Sequence, residues 1–395
     1  MKVSVVGQGY VGLPLAIAAA NSGLTVYGID VNEEKIARLK KGKSFIEDIS
    51  DNVIKDSVDS GRYIPTTDEK LVRESEIILI CVPTPLTHDH KPDLTALISA
   101  VSTVGKNLKS GSLVIVESTI EPGTCRTKVL PILIKESGLT EGDFYLAYSP
   151  ERIDPLNKNW GISNTPKLVS GITEAATEKA EAFYANFINS ITRCPSVEIA
   201  ETAKLLENSF RLVNISFINE LAIFCHKIGI DVNEVISAAA TKPYGFMPFY
   251  PSIGAGGHCI PVDPIYLASA AKAVGASTRF IDLADQINQE IPIYFVDRAV
   301  EKIGGLESKK VIVVGVSYKP NVADVRQSPV LVLISKLKQK GAVVSWHDDL
   351  VKEWKGEKSV ALSSLFDLAI IATPHDYLDL TKLGNVPILN TRGSI

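Results

Sequence analysis

The chain is expected to be an α/β protein with two Rossmann-like, doubly wound domains, joined by a long central helix and a helical middle domain. Three observations predict this. A strand, glycine loop, helix and strand open the chain; a similar plan recurs near residue 310; and between them runs a long stretch of helical periodicity with no strong strand signal.

Residues 3–6 read as a buried strand, 7–12 as a tight loop, 13–22 as a helix and 24–30 as the next strand, which makes a βαβ unit. Strand-like runs at 77–82, 113–117 and 145–148 alternate with helical segments and predict a parallel sheet up to about residue 195. From 196 to about 229 the pattern is one long, largely apolar helix, with further helices expected around 232–240 and 278–303. The segment 244–264 is rich in Gly and Pro and is expected to be irregular. A strand at 309–314, a helix near 330–340 and a strand at 342–347 ending in Asp348 repeat the opening plan, and strands at 368–372 and 386–389 extend it. The expected domains are 1–195, 196–303 and 304–395.

With 395 residues, 45% hydrophobic and 22% charged, the composition excludes a disordered or fibrous chain and is large enough for separate cores. A net charge of -4 and a pI near 6.0 give no global attraction for nucleic acid or an anionic membrane, so an anionic substrate has to be held by local donors. The run 75–82 is strand-sized, no apolar stretch reaches the ~18 residues that span a bilayer, and residues 1–20 lack the pattern of a signal peptide. A cytoplasmic protein is expected. The cysteines, Cys81, Cys125, Cys194, Cys225 and Cys259, are odd in number and contain no C-x-x-C pair, so neither a disulfide framework nor a metal cluster is expected.

Gly7-Gln8-Gly9-Tyr10-Val11-Gly12 fits G-x-G-x-x-G and sits between an expected strand and an expected helix. Gly7 permits the turn, Gly9 lets a pyrophosphate approach the backbone, and Gly12 allows close helix packing. Asp30 ends the second strand, where its carboxylate would accept the adenosine ribose hydroxyls and favour NAD over NADP. A glycine turn with no ligand is the alternative, and strand, helix and Asp30 together weigh against it. Lys35 either touches the adenosine side or, as is commoner for a helix lysine, faces solvent. Cys81-Val82-Pro83-Thr84-Pro85 follows another strand end, where ligands bind in such sheets.

The run 252–264 places Cys259 in a loop whose glycines let backbone amides approach a ligand, a setting suited to a nucleophile; the other four cysteines read as small buried hydrophobes. Lys204 and Asn208 lie four apart on the long helix and share a face, with Arg211 nearby. Asn208, Asn214 and Asn219 are costly inside a helix: they either satisfy each other or face water, or else that face meets the Cys259 loop. In the latter case an ammonium and an amide would stabilise an oxyanion at an attacked carbonyl.

Gly7 to Gly12, Cys81 to Pro85, Glu117-Ser118-Thr119, Ser149-Pro150-Glu151, Lys204 with Asn208, Gly256 to Asp263, and Tyr318-Lys319 with Asp324-Val325-Arg326 together resemble the UDP-glucose/GDP-mannose dehydrogenase family, over essentially the full chain. The resemblance implies an NAD domain, a central helix that dimerises, and a C-terminal domain that binds the nucleotide of a UDP-sugar. It also implies a twofold oxidation with two NAD, in which Cys259 traps an aldehyde as a thiohemiacetal and then carries a thioester that water hydrolyses. Lys204 and Asn208 match the oxyanion stabilisers, Asp263 the carboxylate beside the thiol, and Glu151 and Thr119 the water-handling residues. Tyr10, Val11, Val82, Pro83, Thr84, Ser118, Thr119 and Arg326 fall at cofactor positions. Arg152, Tyr250, Gly256 and Lys319, with Lys204 and Asn208, fall at substrate positions. His258 either donates to substrate or orders the loop; Arg211 and Asn214 either meet the sugar or pair within the helix.

Two departures separate the chain from the UDP-glucose branch. The loop reads His258 before Cys259 and Val262 before Asp263, where that branch has serine and lysine, and Glu151-Arg152-Ile153-Asp154-Pro155 lacks a second glutamate. Both are similar to the branch that oxidises UDP-N-acetylglucosamine or UDP-N-acetylmannosamine, and 155–170, with Asn157-Lys158-Asn159 and Thr165-Pro166-Lys167, leans towards the gluco-type enzymes. The alternatives are a UDP-glucose 6-dehydrogenase, a two-electron dehydrogenase, and a nucleotide-binding sensor without turnover.

Overall fold

Uninterrupted apolar runs form strands here because both faces of a parallel sheet are covered, so alternation is not required. In the computed structural model, which describes all residues except 47, 155, 158 and 393–395, the chain forms two compact units: 1–206 with 265–275, and 207–264 with 276–395. The sequence motif at 151–155 and the run 155–170 therefore touch two positions, Pro155 and Lys158, that lie outside the described residues.

The first unit holds β1 (Lys2–Val6), α1 (Gly12–Asn21), β2 (Thr25–Ile29), α2 (Glu33–Lys40), α3 (Asp51–Asp59), β3 (Tyr63–Thr66), β4 (Ile77–Ile80), α4 (Thr95–Asn107), β5 (Leu113–Val116), α5 (Leu130–Ser137), β6 (Tyr145–Tyr148), β7 (Lys167–Gly171), α6 (Glu174–Tyr184) and β8 (Ile191–Arg193). Its sheet runs β3-β2-β1-β4-β5-β6-β7-β8. The first six strands pair in parallel, but Tyr148 pairs antiparallel with Ser170, so the sheet is mixed where the sequence led us to expect parallel strands throughout. The reversal follows from the connection. Among the described residues the link from β6 to β7 carries no helix, whereas a parallel neighbour needs a crossover, usually helical. The pattern also concealed β3, which contains Pro65, and the short β7 and β8. Packing α1 close to β1 requires Gly12, since a Cβ there would strike the Gly7 carbonyl.

The helix α7 (Val197–Lys227) begins in the first unit and continues in the second. It is followed by α8 (Val232–Ala240), α9 (Asp263–Ala273) and α10 (Arg279–Ile303). The irregular segment stops at residue 262, where Asp263 supplies an acidic first turn to α9, a helix outside the expected segments although its Ala-rich sequence favours one. The second unit's sheet comprises β9 (Lys310–Val314), β10 (Val343–His347), β13 (Leu368–Ile371) and β14 (Ile388–Asn390), all parallel in the order β10-β9-β13-β14. The helix α11 (Val330–Gln339) links β9 to β10, and a two-residue hairpin, β11 (Glu353–Trp354) with β12 (Glu357–Lys358), stands apart. Its core is Val311, Val313, Leu333, Leu337, Trp346 and Ile370, packed with Ile291 and Phe295 of α10.

Candidate active site

In the first unit the expected cofactor residues fall at the C-terminal ends of parallel strands. Gly7 follows β1, Asp30 follows β2, Val82 to Thr84 follow β4, and Ser118 and Thr119 follow β5. The Gly7 N–H donates to Ile29 O at 2.8 Å with φ of 93°, and a Cβ there would meet the Cys81 carbonyl, so only glycine makes this turn. A Cβ on Gly9 would meet no protein atom; what its absence opens is approach from outside the fold. Tyr10 and Val11 lead into α1, whose first turn has no side-chain cap at Val11.

Asp30 is buried and accepts three bonds among the described residues. Oδ2 takes the Gln8 N–H at 2.8 Å and the Lys35 ammonium at 2.7 Å, and Oδ1 takes the Asn32 N–H at 3.0 Å. A carboxylate has about four acceptor positions, so one remains on Oδ1, enough for one ribose hydroxyl while Lys35 holds its place. The solvent-facing reading of Lys35 is therefore corrected: its ammonium is drawn to Asp30 and lies 5.6 Å from the Phe45 ring centre. Ser118 spends its hydroxyl on Val82 O at 2.7 Å, tying the loops after β4 and β5 together, and Thr84 is buried beside them. The residues present fit a dinucleotide.

Glu151 and Arg152 follow β6. Glu151 Oε1 accepts the N–H groups of Arg152 (2.6 Å) and Ile153 (2.7 Å), and Arg152 donates to Pro166 O at 2.7 Å, so its guanidinium anchors the loop that carries Glu151. Lys204 is buried on α7 one turn before Asn208. One turn earlier still, the buried carboxylate of Glu201 accepts the N–H groups of Gly123 and of Cys125 at 3.0 Å, fastening α7 to the loop after Thr119. Burial pushes Glu201 up to about 7, against those hydrogen bonds.

In the second unit the nucleophile loop is clamped by asparagines from two helices. Asn219 accepts the Ser252 N–H at 2.9 Å; Asn288 of α10 accepts the Ala255 N–H at 2.6 Å and donates to Ala255 O at 3.1 Å; Asn208 donates to Asp263 at 2.6 Å. Asn208 and Asn219 thus neither face water nor satisfy each other: the expected face of α7 does meet the loop. Asn214 instead donates to Phe210 O of its own helix, and Arg211 and Tyr250 are exposed. Sequence reasoning missed Asn288; the only sign was a costly asparagine in a helix interior.

The glycines of the loop pack on the segment 318–329. A Cβ on Gly256 would collide with Gln327 O, Pro329 and Tyr318, and Gly257, at φ of 83°, lies on the Tyr318 ring while its N–H donates to Arg326 O. This close fit brings out Cys259, which is exposed, whereas Cys81, Cys125 and Cys225 are buried. Cys194 is half-buried, a departure from the expected buried hydrophobe. Burial pushes all four of those thiols up, which disfavours their thiolates. His258 is held below its ordinary value by burial and by the Arg326 charge, so the neutral imidazole prevails near pH 7. Arg326 forks onto Asp324 at 2.6–3.0 Å, and the Lys319 carbonyl accepts the Ser317 hydroxyl at 2.9 Å.

A glycine-loop Rossmann unit that fits a dinucleotide, together with an exposed, clamped thiol, defines a dinucleotide-dependent oxidoreductase. The chain belongs to the UDP-glucose/GDP-mannose dehydrogenase family: the models of its NAD binding domain, central domain and UDP binding domain match residues 1–188, 198–290 and 312–390. It is an NAD-dependent nucleotide-sugar dehydrogenase. It is 36% identical to Protein CapL of Staphylococcus aureus (96% of this chain, 92% of the relative) and 34% identical to UDP-N-acetyl-D-glucosamine 6-dehydrogenase of Salmonella typhi (95% and 90%). The solved UDP-D-ManNAc dehydrogenase of Pyrococcus horikoshii superposes with a TM-score of 0.91 at 33% identity, covering 99% of this chain and 95% of that one. Among the described residues, no helix is long and apolar enough to cross a membrane.

Proposed function

We propose that the protein oxidises the C6 alcohol of a UDP-N-acetylhexosamine to the carboxylate through a covalent intermediate on Cys259. The observation that carries this reading is the exposed thiol at the end of a glycine loop held at three points by buried asparagines. The substrate class is supported by His258 and Val262 in that loop, by the missing second glutamate after Glu151, and by relatives named as UDP-N-acetylglucosamine and UDP-N-acetylmannosamine dehydrogenases.

Bound NAD supplies the hydride acceptor for each oxidation; Gly7, Gly9 and Gly12 would hold its pyrophosphate against α1 and Asp30 its adenosine ribose. Asp263 takes the proton released from the C6 hydroxyl. The Cys259 sulfur then adds to the aldehyde carbon to give a thiohemiacetal, whose oxyanion Lys204 and Asn208 stabilise. Its second oxidation leaves a thioester. For hydrolysis, a water positioned by Thr119 gives a proton to Glu151 as its oxygen attacks the carbonyl carbon, and the C–S bond breaks to return the thiolate. Arg152, Lys319 and Arg326 supply charge for the diphosphate.

In this reading, residues 1–195 serve NAD, 196–303 carry the nucleophile and dimerise, and 304–395 serve the UDP-sugar, in the cytosol. The homodimer is supported by Phe210, Phe217 and Phe224, exposed at seven-residue intervals on one face of α7, which suits a second copy of the same helix. Light scattering should give twice the chain mass, and Phe217→Glu should halve it. The covalent step is tested by quenching turnover with each UDP-sugar and weighing the intact protein. A hexosaminuronyl adduct on Cys259 is expected, and its absence in a turning-over enzyme would reject the mechanism. Turnover on UDP-glucose alone would reject the substrate class.

A further inference from the structure

Behind Glu151, the first unit buries a lysine between two carboxylates. Lys167 Nζ on β7 lies 2.6 Å from Glu117 Oε2, 3.2 Å from Pro150 O and 3.5 Å from Glu151 Oε2, and the other oxygen of Glu117 accepts the Tyr184 hydroxyl of α6. Lys167 and Glu117 are almost wholly excluded from solvent. The antiparallel turn of the sheet makes this possible. Glu117 ends β5, Glu151 follows β6, and reversing β7 carries Lys167 back to the same edge.

Burying three charges is costly, and structural stability alone would be served as well by apolar side chains of similar volume. The arrangement has a direction, however. Both Glu117 oxygens are engaged at short range by partners inside the core, while Glu151 has one oxygen on backbone N–H groups and the other turned towards the ammonium. The groups facing this cluster are Tyr184 from α6, Cys81 after β4, Glu117 after β5 and Glu151 after β6. Lys167 is therefore the cation among them, shared between a fixed carboxylate and an operating one.

We propose that the Lys167–Glu117 pair is a positioning pair that orients the Glu151 carboxylate for the hydrolytic half of the reaction. The inference rests on the reading of Glu151 as the water-handling residue. Although burial opposes the Lys167 charge, the two carboxylates outweigh it, and its ammonium persists across the working pH range. Burial pushes the Glu117 carboxyl up, while the Lys167 ammonium and the Tyr184 hydroxyl favour its carboxylate.

The test is the rate of loss of the Cys259 acyl adduct, read by mass spectrometry of quenched reactions between about pH 5 and 9. Removing the cation with Lys167→Met should move the acid limb of that profile up by about one unit, since a neighbouring opposite charge no longer favours the Glu151 carboxylate. Removing the competing anion with the nearly isosteric Glu117→Gln should move it down, because Lys167 then serves Glu151 alone. Lys167→Arg should restore the wild-type limb. A pair that only holds the fold together would lower the rate without opposed shifts, and unshifted limbs in both variants would overturn the inference while Glu151→Gln still abolishes the limb. If Glu151→Gln keeps the wild-type limb, the water-handling role falls and the pair's role with it.

Discussion

In the first Rossmann-like unit the Gly7 N–H donates to Ile29 O and the Gln8 N–H to Asp30; in the second, the Gly315 N–H donates to His347 O and the Val316 N–H to Asp348. Gly7 and Gly315 both have positive φ, and a Cβ on either would strike the carbonyl of the adjacent strand end. The frame is the same, yet the functional edge is not. Where the first unit has Gly9 and Gly12, the second has Ser317 and Pro320, and Ser317 is buried with its carbonyl taking the Thr373 hydroxyl. Asp30 keeps one acceptor position, whereas Asp348 is saturated: besides Val316 it takes Leu350 (2.9 Å), Val351 (3.1 Å) and His375 Nε2 (3.1 Å). His375 Nδ1 accepts the Asn321 N–H at 2.9 Å, which places the imidazole proton on Nε2, towards the carboxylate. A repeated βαβ plan thus carries a ligand-ready carboxylate once and a structural one once. The second unit, whatever nucleotide it holds, has closed the position at which the first would hold an adenosine ribose.

The largest test of this contrast is Asp348→Ala. Removing a buried acceptor of four donors should cost the second unit about 3–5 kcal/mol, seen as early loss of hydrogen-exchange protection in β9 and β10, while NAD affinity stays at the wild-type value. Asp30→Ala should do the reverse, weakening NAD roughly tenfold or more with a smaller effect on melting. Next in size, Gly9→Val should leave the fold intact because a Cβ there meets no protein atom, yet reduce NAD binding at least ~10-fold in titration by fluorescence. Equal loss of stability in Gly9→Val would show that the loop's openness is not reserved for a ligand.

A step smaller, Asn288→Ala should remove two hydrogen bonds to Ala255, cost about 1–3 kcal/mol locally, and lower kcat with NAD binding unchanged. The smallest effects concern pH, where the two units should differ in sign. Hydrogen bonds from His375 and backbone amides hold Asp348 below 3.8 against the effect of burial, so its contribution is complete above that value and is lost as pH falls through the lower folded value. Glu117 and Glu201 are instead raised by burial from 4.5 to about 7; the native state then binds more protons than the unfolded one, and stability is lost as pH rises through that window. Hydrogen exchange should show β5 and the start of α7 loosening between pH 5 and 8, and β9 only on acidification below about pH 4. The same trend in both units would contradict the assignment of these carboxylates.

Much of this frame was legible. Gly7, Asp30, Gly315 and Asp348 sit at strand ends that apolar runs announce, and α8 occupies the predicted residues 232–240. What escaped had physical reasons. Pro65 masked an edge strand, the reversal at β7 depends on a connection rather than on local periodicity, and the pairing of Glu117 with Lys167 joins residues far apart in sequence. Lys35 looked like a surface lysine because its partner, Asp30, lies across a loop. For Asn288, a helix asparagine reads as a mild cost until the loop it clamps is present.

The clamped thiol at Cys259 has one direct test, the number of NADH formed per UDP-N-acetylhexosamine consumed, measured spectrophotometrically against uronate product. Two NADH for each uronate, with no aldehyde released, is the expected result. A single NADH accompanied by free aldehyde would show that Cys259 carries no thioester and that the enzyme stops after one oxidation.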